Sequence, residues 1–127
     1  MVLTAAVALG LAGTAAVAHA EPGPPPCSYT LSPPHVVQLS GTNAVTATLS
    51  PAGCDRSVAY LNVACVQMQG SDGPGQCQQN SGVLTAQVFY QPYRPGATYI
   101  ATGRGCADTG NPPQPVCRPM GPLTATL

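Results

Sequence analysis

Six cysteines constrain this chain more than any other feature. They are Cys27, Cys54, Cys65, Cys77, Cys106 and Cys117, and all of them follow residue 20 of the 127-residue sequence. Their number is even, no two stand in a C-x-x-C pair, and His35 is the only histidine beyond residue 20. A zinc site needs closely spaced Cys and His ligands, and a thioredoxin-like redox site needs C-x-x-C, so neither inventory is present. The pattern predicts three structural disulfides formed in an oxidising compartment. Sequence alone leaves the pairing open. Geometry states a preference, because a bridge requires its two ends to return to each other. Cys65 and Cys77 flank the turn-rich MQGSDGPGQ, and Cys106 and Cys117 flank ADTGNPPQPV. Those two pairs leave Cys27 for Cys54.

The first stretch supports the same compartment. MVLTAAVALGLAGTAAVAHA is apolar, rich in small residues, and ends in Ala18-His19-Ala20, an A-x-A cleavage signature. Residues 1–20 are therefore expected to be a secretory signal, residues 21–26 a proline-rich leader, and residues 27–127 one domain. A signal usually carries Lys or Arg ahead of its apolar run, and none is present here. A true start upstream of Met1 would account for that. The alternative is a short membrane anchor, although Gly10 and Gly13 interrupt the run and its length is at the lower limit for a span. No later segment is long and apolar enough to cross a bilayer, so no stable membrane insertion of the mature chain is expected.

Charge is scarce. Beyond residue 20 the acids are Glu21, Asp55, Asp72 and Asp108, the bases are Arg56, Arg94, Arg104 and Arg118, and there is no lysine. Scattered arginines do not make the cationic face that nucleic acid requires, and an anionic membrane surface is disfavoured for the same reason. The expected partner is an unknown protein or envelope component.

Proline and glycine make up about a quarter of the residues after the signal. They sit in clusters between alternating β-branched runs, which argues for turns rather than disorder. Residues 36–39 read as an edge-like strand behind two prolines. Residues 44–49 alternate, with Val45, Ala47 and Leu49 inward and Thr46 and Thr48 outward. Residues 58–68 place Leu61, Val63 and Cys65 on one face. Residues 83–90 place Leu84, Ala86, Val88 and Tyr90 on one face. Residues 99–105 alternate Tyr99, Ala101 and Gly103 with Ile100, Thr102 and Arg104, and residues 123–127 close the chain. No segment after Ala20 keeps helical spacing. About six or seven short strands with frequent turns predict an all-β, disulfide-stapled antiparallel sandwich.

Tyr93-Arg94-Pro95-Gly96-Ala97-Thr98-Tyr99, followed by Ala101 and Gly103, resembles the E–F corner of fibronectin type III and related immunoglobulin-like domains. The resemblance implies an immunoglobulin-like fold in which the Tyr99 hydroxyl bonds back to the loop backbone. The segment from Gly121 to Leu127 looks like the last strand of the same fold. The chain departs from that family in having no Trp, and its six cysteines are not the antibody inter-sheet bridge. As a whole it is similar to the small Ala/Pro/Thr/Gly-rich exported proteins of mycobacteria and related actinobacteria, which implies an envelope or extracellular location.

Catalytic inventory is thin. His35 lacks a nucleophile motif nearby, and the spacing of Asp55, Asp72 and Asp108 suggests turn capping rather than acid–base or calcium chemistry. No catalytic residue, metal or cofactor is expected. Tyr93 and Arg94 are the candidate contact residues, since Tyr and Arg are favoured at binding surfaces. The expected function is a secreted, non-catalytic binding or envelope-associated protein. Two alternatives are a small-molecule carrier with a cleft between loops, in the general character of the chromophore carriers of actinomycetes, and a secreted hydrolase.

Overall fold

The computed structural model describes residues 26–73 and 75–127. The expected signal, residues 1–20, and leader, residues 21–26, lie outside these residues, Pro26 excepted. Eight strands follow in order: β1 Cys27–Leu31, β2 His35–Leu39, β3 Thr42–Cys54, β4 Ser57–Met68, β5 Gln76–Ser81, β6 Ala86–Tyr90, β7 Thr98–Thr109 and β8 Gln114–Thr126. All strand pairs are antiparallel, and they form two sheets. The smaller sheet is built around β3, which pairs β1, β2 and β6, while the larger runs β5-β4-β7-β8. The described residues contain no helix.

In the smaller sheet, β1 and β2 behave as one interrupted strand. β2 pairs the first part of β3, from Thr42 to Thr46, and β1 pairs its last part, from Leu49 to Cys54. Pro33 and Pro34 lack the N–H that a ladder needs, so the strand breaks there. Ser32 bridges the break: its N–H donates to the Thr48 carbonyl at 2.9 Å, and its hydroxyl accepts from the Thr48 N–H at 2.8 Å. A two-residue turn joins β2 to β3. Ser40 and Gly41 there have φ of 53° and 80°, the paired positive values of a type I′ hairpin turn.

The core lies between the sheets. Tyr29, Leu31, Val45, Ala47, Leu49, Ala86 and Val88 from one sheet meet Ala59, Ala64, Val66, Tyr99, Ala101 and Ala107 from the other. So many alanines leave the larger side chains to fill the space. The two inward glycines of β7 admit them: a Cβ on Gly103 would run into Leu49 Cδ1, and one on Gly105 into the ring of Tyr29.

Each of the three disulfides, Cys27–Cys54, Cys65–Cys77 and Cys106–Cys117, joins residues directly opposite each other on neighbouring strands. These are the preferred pairs. Each bridge lies within one sheet, so the two sheets are held together by the core between them.

The strands differ from expectation in definable ways. There are eight rather than six or seven. β1, β5 and the first half of β8 were not foreseen, because β5 is the polar QCQQNS and β8 carries Pro115, Pro119 and Pro122. β8 tolerates those prolines because it is an edge strand. The larger half-buried side chains of β4, Leu61 and Val63, do share a face with Cys65, but Asn62, Ala64 and Val66 take the buried face. β6 begins only at Ala86, so Leu84 is in the preceding loop and exposed. Thr46 is fully buried although it points away from the core. Its cross-strand neighbours are His35 and Phe89, large groups that cover a small one. Its hydroxyl donates to the Val88 carbonyl at 2.8 Å and accepts from Gln87 Nε2 at 3.1 Å.

Candidate functional site

The sandwich has two ends of different character. One carries the β2–β3 turn, the β4–β5 loop, the β6–β7 loop and Leu127. Tyr93 and Arg94 lie here, in the β6–β7 loop. Tyr93 is half-buried, its ring centroid 6.4 Å from that of Tyr99, so much of the ring is used in packing. Arg94 is exposed, while its backbone N–H donates to the Tyr99 hydroxyl at 2.9 Å. Only the Arg94 guanidinium is therefore fully free to meet a partner at this end. The C-terminal strand closes the same corner, since Leu127 N–H donates to the Ala97 carbonyl at 3.0 Å and its own carbonyl accepts from Gly96.

The residues weighed for chemistry are dispersed. His35 is exposed at the start of β2, its Nδ1–H donating to the Pro33 carbonyl at 3.0 Å. Asp55 sits in the β3–β4 turn and Asp108 near the end of β7, whereas Asp72 is in the β4–β5 loop at the other end. Among the described residues, no three His, Cys, Asp or Glu side chains gather closely enough to hold a metal ion.

The second end is built differently. It carries the β3–β4 turn, the β5–β6 loop and the β7–β8 hairpin. β4 pairs β5 only from Leu61 onward, so Ser57 to Tyr60 extend past the end of β5. Beside them runs the loop of residues 82–85. The three most exposed large apolar side chains of the described residues are here: Val83 at 73%, Val58 at 69% and Leu84 at 57%. Tyr60 and Val116, both partly exposed, lie on the same end.

This apolar loop is held rather than loose. Asn62, fully buried, donates both amide hydrogens outward along the sheet edge, to the carbonyls of Gly82 at 3.0 Å and Leu84 at 2.9 Å. Gly82 N–H donates to the Tyr60 carbonyl at 3.1 Å, Leu84 N–H to the Ser81 carbonyl at 3.2 Å, and Asn80 Nδ2 to the Thr85 carbonyl at 3.1 Å. With its backbone bonded this way, the loop holds Val83 and Leu84 out to solvent. The Cys27–Cys54 and Cys106–Cys117 bridges stiffen the same end from either side.

Sequence reasoning missed this end. Val58, Val83 and Leu84 were read as parts of strands, and the only available clue was the Ser81-Gly82 turn pair ahead of the two aliphatics.

The fold and its staples define a class, an all-β two-sheet sandwich bridged within its sheets. No protein-family model, curated protein or solved structure matches the chain. Among the described residues, no helix is long and apolar enough to cross a membrane. Three disulfides are characteristic of proteins that mature in an oxidising environment.

Proposed function

We propose that this chain is a secreted, non-catalytic binding module of the cell envelope or extracellular space, and that its contact surface is the end bearing Val58, Val83 and Leu84. One observation carries the reading: the most exposed apolar side chains collect on that end, on backbone fixed by Asn62. Surface aliphatics scattered singly need no explanation, but several gathered on a rigid projection are characteristic of contact sites. Secretion rests on the Ala18-His19-Ala20 signature and is supported by the three bridges.

An immunoglobulin-like relationship fits the same reading. With β1 and β2 counted as one interrupted strand, seven strands remain, split three and four between the sheets. The Tyr99 corner supports it as well. Loops at the ends of such sandwiches commonly carry recognition. Arg94, with the exposed part of Tyr93, is a secondary contact at the opposite end. Neither the carrier nor the hydrolase alternative is favoured by a specific observation, and the space between the sheets is taken up by Tyr29, Leu31, Leu49 and Tyr99.

The test is retention on isolated actinobacterial envelope fractions. The secreted chain is expected to sediment with them, and the double variant Val83→Asp/Leu84→Asp to remain in the supernatant. Equal behaviour of the two proteins would remove this end as the contact surface.

A further inference from the structure

We propose that the occupant of the Val58–Val83–Leu84 end is an uncharged lipid surface, on which the loop of residues 82–85 rests by shallow insertion of its two aliphatic side chains. The inference rests on the preceding reading that this end is the contact surface, and adds the identity of what it touches.

Three observations select lipid over a folded partner. The first is shape and chemistry. Val83 and Leu84 are adjacent in a projecting loop, and Gly82 to Thr85 includes no charged residue. Such a tip offers a partner no ionic or directional recognition.

The second concerns the loop backbone. Entry into the boundary between headgroups and acyl chains penalises polar groups that lack a partner. The Gly82 N–H and carbonyl, the Leu84 N–H and carbonyl, and the Thr85 carbonyl are all bonded within the protein. Asn62 supplies two of these bonds from a fully buried position, so the loop can leave water without orphaning them.

The third is where the rest of the chain joins. Residues 1–25 connect at Pro26, whose carbonyl accepts the Asp55 N–H of the β3–β4 turn at 2.9 Å. The next residue, Cys27, is bridged to Cys54 beside that turn. The point of attachment is therefore fixed on the same end as Val58, Val83 and Leu84. Residues 1–20 are the longest apolar run in the sequence. A bilayer that receives this run meets the domain from that end. Asp55 and Arg56 flank the attachment point with opposite charges, so the surface expected there is neutral rather than anionic.

The test is co-sedimentation of the secreted chain with phosphatidylcholine vesicles, with and without phosphatidylglycerol, at low and high salt. Wild type is compared with Val83→Asp/Leu84→Asp and with Val58→Asp. All three proteins keep the same N-terminus, so differences report this end alone. Near-ultraviolet circular dichroism and non-reduced mass mapping confirm that each is folded. The expected result is partitioning onto neutral vesicles that is insensitive to salt, reduced at least fivefold in the double variant and measurably in Val58→Asp. Equal partitioning of wild type and variants, or binding only to anionic vesicles that salt abolishes, overturns the proposal. So does a concentration-dependent dimer in lipid-free solution that the double variant abolishes, since a second copy is then the occupant. If vesicles fail while envelope retention still depends on Val83 and Leu84, the lipid assignment falls and the contact surface stands. If retention is also unchanged, both fall.

Discussion

The backbone N–H of Arg94 donates to the hydroxyl of Tyr99 at 2.9 Å, tying the β6–β7 loop to the first turn of β7. The Tyr99 ring is fully buried, with Tyr90 edge-on at 5.7 Å and Tyr93 tilted at 6.4 Å. One residue thus fills the core at this end and satisfies a loop donor. Tyr99→Phe keeps the ring and removes the acceptor. It is expected to cost about 1–2 kcal/mol in urea unfolding and to accelerate exchange of the Arg94 amide. An unchanged midpoint and exchange rate would mean that the bond contributes nothing.

Gly105 and Tyr29 fit together by the absence of a side chain on one of them. A Cβ on Gly105 would overlap Cδ1, Cε1 and Cζ of the Tyr29 ring. Gly105→Ala is expected to destabilise at the upper end of the range of about 1–3 kcal/mol for overpacking. In a Tyr29→Ala background the added methyl has room, so its cost there is expected to be near zero. A double-mutant cycle checks this, and additive costs would show that the two residues do not compete for the same space.

Tyr29 also makes stability depend on pH. Burial is the main reason that its hydroxyl holds its proton above the ordinary tyrosine value, with the nearby Tyr60 hydroxyl adding to the effect. Below that ordinary value both folded and unfolded chains are protonated here, and stability does not respond to pH through this group. Above it the unfolded chain loses the proton first, so stability falls as pH rises toward the folded value. Tyr29→Phe is expected to remove this part of the alkaline decline. At neutral pH the same variant is expected to be as stable as wild type or more so, because Tyr29 Oη is buried without a hydrogen-bond partner among the described residues. Thermal melts from neutral pH to about 11 measure both effects.

Asn62 faces two carbonyl oxygens with its amide. Asn62→Asp would present carboxylate oxygens to those carbonyls in a buried position. A loss of about 3 kcal/mol or more is expected at neutral pH, with partial recovery as the solution is acidified and the carboxyl gains a proton to donate. Full stability at neutral pH would show that the loop is not held by this side chain.

The sequence was most informative where local signals and tertiary demands agreed. Val45, Ala47 and Leu49 alternate inward because β3 is central in its sheet and packs one face on the core. Tyr99 and Ala101 follow the same logic on β7, and the turn-rich segments between cysteines brought Cys65 to Cys77 and Cys106 to Cys117. β5 was hidden because an edge strand paired on one side can be polar, and QCQQNS has almost no apolar residue to mark it. Prolines hid the first half of β8 for the same reason. Thr46 could not be recognised as buried, because its cover comes from His35 and Phe89 on two other strands. The candidate site was illegible for a related reason. Val58, Val83 and Leu84 are apolar residues in β-rich stretches, and only the early end of β5 and the late start of β6 leave them outside the core.

The most direct measurement is amide line broadening in the isotope-labelled secreted chain as actinobacterial envelope fragments are added. The account predicts that Val58, Tyr60 and residues 82–85 broaden first and that Val83→Asp/Leu84→Asp abolishes the effect. Broadening centred instead on Tyr93, Arg94 and the rest of the β6–β7 loop would contradict it and place the contact surface at the opposite end of the sandwich.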